Sequence, residues 1–194
     1  MAPTQAERRE ATTTALVDAA RELFAQDGFA ATSLDAVVAR AGMTKGALYH
    51  HFDSKRSLFR AVYDQEQTRS AEVVAAAAVR KRDPWDAFEA GCRAFLDFTL
   101  DPGVQRIVLI DAPGALGWEA MREGERASLE MMEEGLRRSI AAGRIGKRPV
   151  EPLAVLLFGA LCEAAMTIAR APDQKAALRG AWAELRRIFA ALAG

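Results

Sequence analysis

Apolar residues recur along this chain at helical spacing and almost nowhere at strand spacing. Leu16, Ala20, Leu23 and Phe24 make one stripe, which predicts a helix from about Glu7 to Asp27, with Gly28 as its stop. Thr4 and Glu7 stand at capping-box spacing before it, and Phe29 packs back on the core behind it. Leu34, Val37, Val38 and Ala41 predict a second, shorter helix. It opens at Thr32 or Ser33, where Thr32 and Asp35 repeat the capping spacing, and Gly42 ends it. In the next stretch, Thr44 to Phe52, only Leu48 and Phe52 share an apolar face, four residues apart. Lys45, Gly46, Tyr49 and His50 occupy the rest of that helix, and Thr44 can cap it. Two short helices joined by a three-residue turn containing glycine fit a helix-turn-helix, with the second helix as the reader in a DNA major groove.

The remaining pattern is also helical. Lys55 opens a long helix through Leu58, Phe59, Val62 and Tyr63 towards Val79. Asp83-Pro84 signals the next start, for a helix carrying Trp85, Phe88, Cys92, Phe95, Leu96 and Phe98. Asp101-Pro102 repeats that signal for a short helix with Ile107 to Ile110, and Asp111 to Gly114 reads as a turn. A long acid-rich helix is predicted from about Trp118 to Ala142, with Met121, Leu129, Met132, Leu136 and Ile140 inward. Gly143 to Pro149 reads as an exposed loop. The segment from Pro152 to Arg170 is apolar nearly all round, which predicts burial on more than one side. In the final helix Leu178, Trp182, Leu185, Phe189 and Leu192 recur at spacings of four, three, four and three. Two such helices in succession exceed what one small domain needs for its core. The expectation is an intermolecular four-helix bundle in a homodimer, with Leu157, Leu161, Leu178, Trp182, Leu185 and Phe189 at the interface.

Composition supports this reading. The chain has 194 residues, 51% of them hydrophobic, enough for a sizeable core. Its formal net charge is zero, so no global excess of charge points to nucleic acid. Local charge does. From Arg40 to Arg60 there are five bases and one acid, an excess of the sign that attracts phosphate around the reader helix. Cys92 and Cys162 stand far apart without metal-ligand spacing and read as two free thiols in a reducing cytoplasm. The polar N-terminus does not read as a signal peptide. The apolar run from Leu153 to Ala169 contains Glu163 and is shorter than a membrane span, so no membrane is expected.

Other classes of function find little support. His50 and His51 are adjacent and point about 100° apart on a helix, with no ligand one turn away, so neither a metal site nor a cofactor is expected. No GxSxG, HExxH, phosphate loop or triad is evident, which argues against an enzyme. A protein-only helical adaptor would not need a polar, weakly pinned helix in basic surroundings.

Several spaced elements of the first sixty or so residues resemble the N-terminal domain of the TetR family of transcriptional repressors. They are Gly28-Phe29, Thr32-Ser33-Leu34, Ala41 to Gly46, Leu48 to Phe52, and Ser54-Lys55 with Leu58. Ile110 to Trp118 looks like a segment found in a subset of that family. The resemblance implies an all-α homodimer of about nine helices. A helix-turn-helix DNA-binding domain would span residues 1–54. A ligand-binding and dimerisation domain would span residues 55–194, with 55–79 as the connecting helix. It implies a cytoplasmic repressor on near-palindromic double-stranded operator DNA, released by a small apolar or amphipathic inducer, or else an activator or a ligand-independent regulator. Carried over position by position, Thr44, Lys45 and Gly46 face the bases, with Lys45 donating to guanine. Tyr49, one or both of His50 and His51, and Lys55 reach phosphates, and Thr32 and Ser33 hold another. Phe88, Phe95, Phe98, Trp118, Met121, Met132 and Phe158 are the candidates to line the inducer pocket.

Overall fold

The computed structural model describes residues 4–193, and every regular element among them is helical. The all-α expectation holds. In order, the helices are α1 (Gln5–Ala31), α2 (Leu34–Ala41), α3 (Lys45–His51), α4 (Lys55–Ala78), α5 (Pro84–Phe98) and the single turn α6 (Pro102–Val104). A π-helical segment follows (Gln105–Asp111), then α7 (Ala112–Leu116), α8 (Trp118–Ala141), α9 (Val150–Ala169) and α10 (Gln174–Ala193).

The chain divides into two compact units. One comprises residues 1–66 and 102–121, the other residues 67–101 and 122–194. This redraws the predicted boundary at residue 54. A segment from the middle of the chain joins the N-terminal helices because Ile107, Ala112 and Leu116 bury against their core.

In the first unit, Thr4 and Glu7 form the reciprocal capping box: the Thr4 amide donates to the Glu7 carboxylate at 2.6 Å and the Glu7 amide donates to Thr4 Oγ1 at 3.2 Å. Gly28 breaks the helical backbone within α1, where the stop was expected. It adopts φ 81°, which glycine reaches without strain, and the helix resumes beyond the kink to Ala31. An added Cβ at Gly28 would also run into the Arg106 guanidinium. Asp111, expected in a turn, is the last residue of the π-helical segment. Its carboxylate accepts from the Phe29 amide at 2.7 Å and from Arg106 Nε at 3.1 Å. Phe24, Phe29 and Phe59 form an aromatic triangle with centroids 4.9–5.9 Å apart. Arg21 pairs with Glu66, whose side chain is fully buried.

The second unit is built around Trp85, Phe88 and Phe189. Trp85 stacks on Phe88 at 5.1 Å, and Phe189 meets both rings edge-on. Asp83 caps α5 with its carboxylate, accepting from the amides of Trp85 at 2.9 Å and Asp86 at 3.1 Å, and Pro84 takes the first turn as predicted.

The predicted interface is corrected here. Leu157, Leu161, Leu178, Leu185 and Phe189 are all buried within the chain itself, and Trp182 packs edge-on against Phe189 with Arg93 over its ring at 5.6 Å. These residues form the intramolecular seam of α5, α9 and α10. The exposed apolar side chains of α9 and α10 are Val155, Leu156 and Ile188 instead, with Leu156 71% exposed. Helix α9 extends over 20 residues, longer than its apolar run suggested, and by length and composition it is able to cross a membrane.

Candidate nucleic-acid interface and ligand cavity

Helix α3 has only seven residues, and its placement rests on few contacts. Thr44 caps it, its hydroxyl accepting from the Ala47 amide at 3.2 Å. Leu48 and Phe52 are buried in the core of the first unit. Gly42 ends α2 in the left-handed conformation, at φ 65°, and sets the tight turn between the two helices. What remains outward is Thr44, Lys45, Gly46, Tyr49 and His50, with Tyr49 55% exposed. Lys45 is not idle. Its ammonium lies 2.7 Å from the Asp35 carboxylate, and that bond and charge raise its pKa. Both partners are well exposed, so the pair contributes little stability and opens readily.

Of three residues expected to reach phosphate, Thr32 and Lys55 are turned inward and Ser33 stays exposed as a helix cap. The Thr32 hydroxyl is buried and donates to the Gly28 carbonyl at 2.8 Å. Ser33 is the α2 cap, accepting from the Ala36 amide at 3.1 Å. The Lys55 ammonium donates to the carbonyls of Phe29, Ala30 and Thr32 at 2.8, 3.2 and 3.0 Å and sits over the Phe29 ring. It thus satisfies carbonyls at the C-terminal end of α1, where a cation is favoured. His51 lies 2.9 Å from Thr13 Oγ1 through Nδ1. Burial, then the neighbouring His50 and Arg9, hold its pKa below the usual imidazole value. His50 is the exposed member of the pair. Two arginines escaped the sequence reading. Arg8 and Arg9 of α1 line a groove with Gln5, Thr12 and both histidines. The signal that marks them is a pair of adjacent bases at the polar start of α1.

The second unit holds a cavity of about 540 Å³ between α4, α5, α8 and α9. Four of the expected residues line it: Phe88, Phe95, Met132 and Phe158. Three do not. Phe98 lies under Arg69, 5.8 Å from its guanidinium, Trp118 is 72% exposed, and Met121 packs on the core of the first unit. Val74, Gly91, Cys92, Met131 and Gly135 also line the cavity and were not predicted. The glycines allow close packing: a Cβ would come within 3.1 Å of Val74 at Gly91 and 3.0 Å of Phe88 at Gly135. Burial pushes the Cys92 thiol far above its ordinary pKa, so it is a small apolar wall rather than a nucleophile. No group of three or more potential metal ligands occurs among the described residues.

Residues 16–62 match the family model of bacterial regulatory proteins of the tetR family, and residues 85–192 match that of the tetracyclin repressor-like C-terminal domain. The Transposon Tn10 TetC protein of Escherichia coli is 33% identical over 129 residues, covering 65% of this chain and 62% of that protein. The HTH-type transcriptional regulator UidR of Escherichia coli K12 is 31% identical over 135 residues, covering 69% of this chain and 57% of that protein. This chain thus spans about three-fifths of the length of those relatives. A TetR-family transcriptional regulator of Pectobacterium atrosepticum has a solved structure that superposes with a TM-score of 0.88. It is 37% identical, and the match covers 98% of both chains. The second of two short helices is pinned by two apolar residues and left polar outside, and the chain has a separate helical unit with an apolar cavity. Those features and the matches to both halves agree: the chain belongs to the TetR family of bacterial transcriptional regulators.

Proposed function

We propose that this chain is a DNA-binding transcriptional repressor, acting in the cytoplasm as a homodimer and released from a near-palindromic operator by a small molecule. The observation that carries this reading is α3, whose outward face is polar or basic along its whole length while Leu48 and Phe52 hold it to the core. Thr44, Lys45 and Gly46 at its N-terminus approach the bases, with Lys45 exchanging Asp35 for a guanine edge. Tyr49, His50, Ser33, Arg8 and Arg9 reach phosphates. His51, Thr32 and Lys55 act indirectly, by holding α1, α2 and α3 in register. The second copy covers Val155, Leu156 and Ile188, the apolar side chains that α9 and α10 leave outward. Two copies of α3 then enter successive major grooves about 34–36 Å apart. The inducer enters the cavity and must bind the released conformation better than the DNA-bound one. Neither an enzymatic reaction nor a resident cofactor is part of this reading.

The test is a gel-shift titration against the DNA upstream of the chain's own gene. Lys45→Ala combined with Tyr49→Ala should weaken binding by about tenfold or more, as expected for one lost base contact and one lost phosphate contact. Binding by the parent protein should fall steeply with salt. Unchanged, salt-insensitive binding by the double variant would remove α3 from the interface.

A further inference from the structure

The cavity of the second unit is apolar through most of its wall but not at its edge. Lys81 and Arg82, in the turn between α4 and α5, both line it, and both are exposed. Neither side chain has a hydrogen-bond or ion-pair partner among the described residues. The acids nearby are already committed. Asp83 caps α5 and pairs with Arg144 at 2.9 Å. Glu134, which also lines the cavity, accepts from Arg138 at 2.8 Å and lies 3.6 Å from Arg137. The mouth therefore carries two uncommitted cations, and the field there favours an anion. At the other end of the same wall is Ser70, only 4% exposed, whose hydroxyl has no partner among the described residues. It is a polar group on an otherwise apolar wall, which a ligand or solvent can satisfy. Ser70 and Ala78 stand roughly 12 Å apart along α4 at 1.5 Å per residue, which sets the length over which an apolar body is held.

From this juxtaposition we propose that the cavity takes an amphipathic anion. Its carboxylate or phosphate head is held by Lys81 and Arg82, its apolar body lies between Phe88, Phe95 and Met132, and a distal oxygen meets Ser70. The assignment deepens the inducer reading above and rests on the same cavity. Two bases presented side by side suit a compact anionic head, and the methionines suit a flexible apolar body. A cationic or neutral molecule of the same length would leave Lys81 and Arg82 uncompensated.

The experiment is calorimetric titration of the purified full chain, without DNA, using decanoate, decyl phosphate, decanol and decyltrimethylammonium. Both anions should bind, the better of them showing which head is preferred, and decanol should bind at least tenfold more weakly than either. Lys81→Met with Arg82→Met should remove that advantage while leaving decanol binding and the thermal melt unchanged, since both side chains are exposed. Ser70→Ala should abolish any preference for ω-hydroxydecanoate over decanoate. Equal binding of decanol and the anions, or an anion preference that survives the double variant, would overturn the proposal. A gel-shift with the same probes separates the two readings. Anion binding that leaves the DNA complex intact sinks the inducer reading and keeps the ligand class, whereas release of DNA by decanol alone sinks the ligand class and keeps the inducer.

Discussion

The two units use apolar surface in opposite ways. In the first, the core closes completely: Leu16, Ala20, Phe24, Val37, Leu58, Phe59, Val62 and Tyr63 have no exposure at all. In the second, the space between α4, α5, α8 and α9 stays open. A reader helix of seven residues has no stability of its own, because isolated helices this short do not form in water. It needs a closed core behind it. A ligand site needs the reverse, walls that surrender contacts to one another so that a guest can make them. Packing density thus divides the labour between the two units.

The sharpest way to break that contrast is to remove volume from each unit. Phe59→Ala takes one ring from the aromatic triangle of the first unit and should cost about 3–5 kcal/mol, read as a drop in urea midpoint and loss of DNA binding. Met131→Ala, facing a space that already exists, should cost about 1 kcal/mol or less, because it adds little new cavity. Equal costs would mean that the second unit is as tightly packed as the first.

A smaller effect is expected at Lys55. Lys55→Met keeps the stem but removes three bonds to carbonyls at the end of α1. The loss should be about 1–2 kcal/mol, lowered by partial exposure, and visible in the melt of the protein without DNA. A variant that melts like the parent yet binds DNA poorly would instead make Lys55 a phosphate ligand.

The smallest effect concerns chemistry in the second unit. Burial and the nearby Glu125 push the Cys162 thiol up to about 12 from an ordinary 9.0. Glu125 is itself raised, by burial first, despite its 3.1 Å bond to Arg122. Because the thiol is an acid with a raised folded pKa, its contribution to stability is present below pH 9.0 and is lost as pH rises above it. At pH 8, iodoacetamide should label Cys162 far more slowly in the native chain than in urea, as mass spectrometry would show. Equal rates would place the thiol in water.

How much of this was legible depended on the reach of each signal. Thr44 as cap, Leu48 and Phe52 as anchors, Gly42 as turn, and Asp83-Pro84 as helix start were readable because each acts on backbone within a few residues. The bonds of His51 and Lys55 were not legible because their partners lie far along the chain, Thr13 for one and Phe29, Ala30 and Thr32 for the other. In the cavity, aromatics and methionines stood out by type, but Gly91 and Gly135 matter by the close approach of Val74 and Phe88 that they allow, which no periodicity records.

The sequence by itself determined the all-α class, most helix limits, the helix-turn-helix and the polar face of α3. These follow from periodicity, capping and turn chemistry, which are local. Only the tertiary structure decided which buried stripe faces which partner. The repeat of Leu178, Trp182, Leu185 and Phe189 announced burial, yet the same repeat serves a partner chain or the chain's own α5 and α9. Here the intramolecular core takes it and leaves Leu156 and Ile188 outside. The tertiary structure likewise drew residues 102–121 into the N-terminal unit and set free Lys81 and Arg82 beside an apolar space. The physical reason is that hydrophobic burial is non-directional: it states that a face must be covered, and only the packed chain states by what.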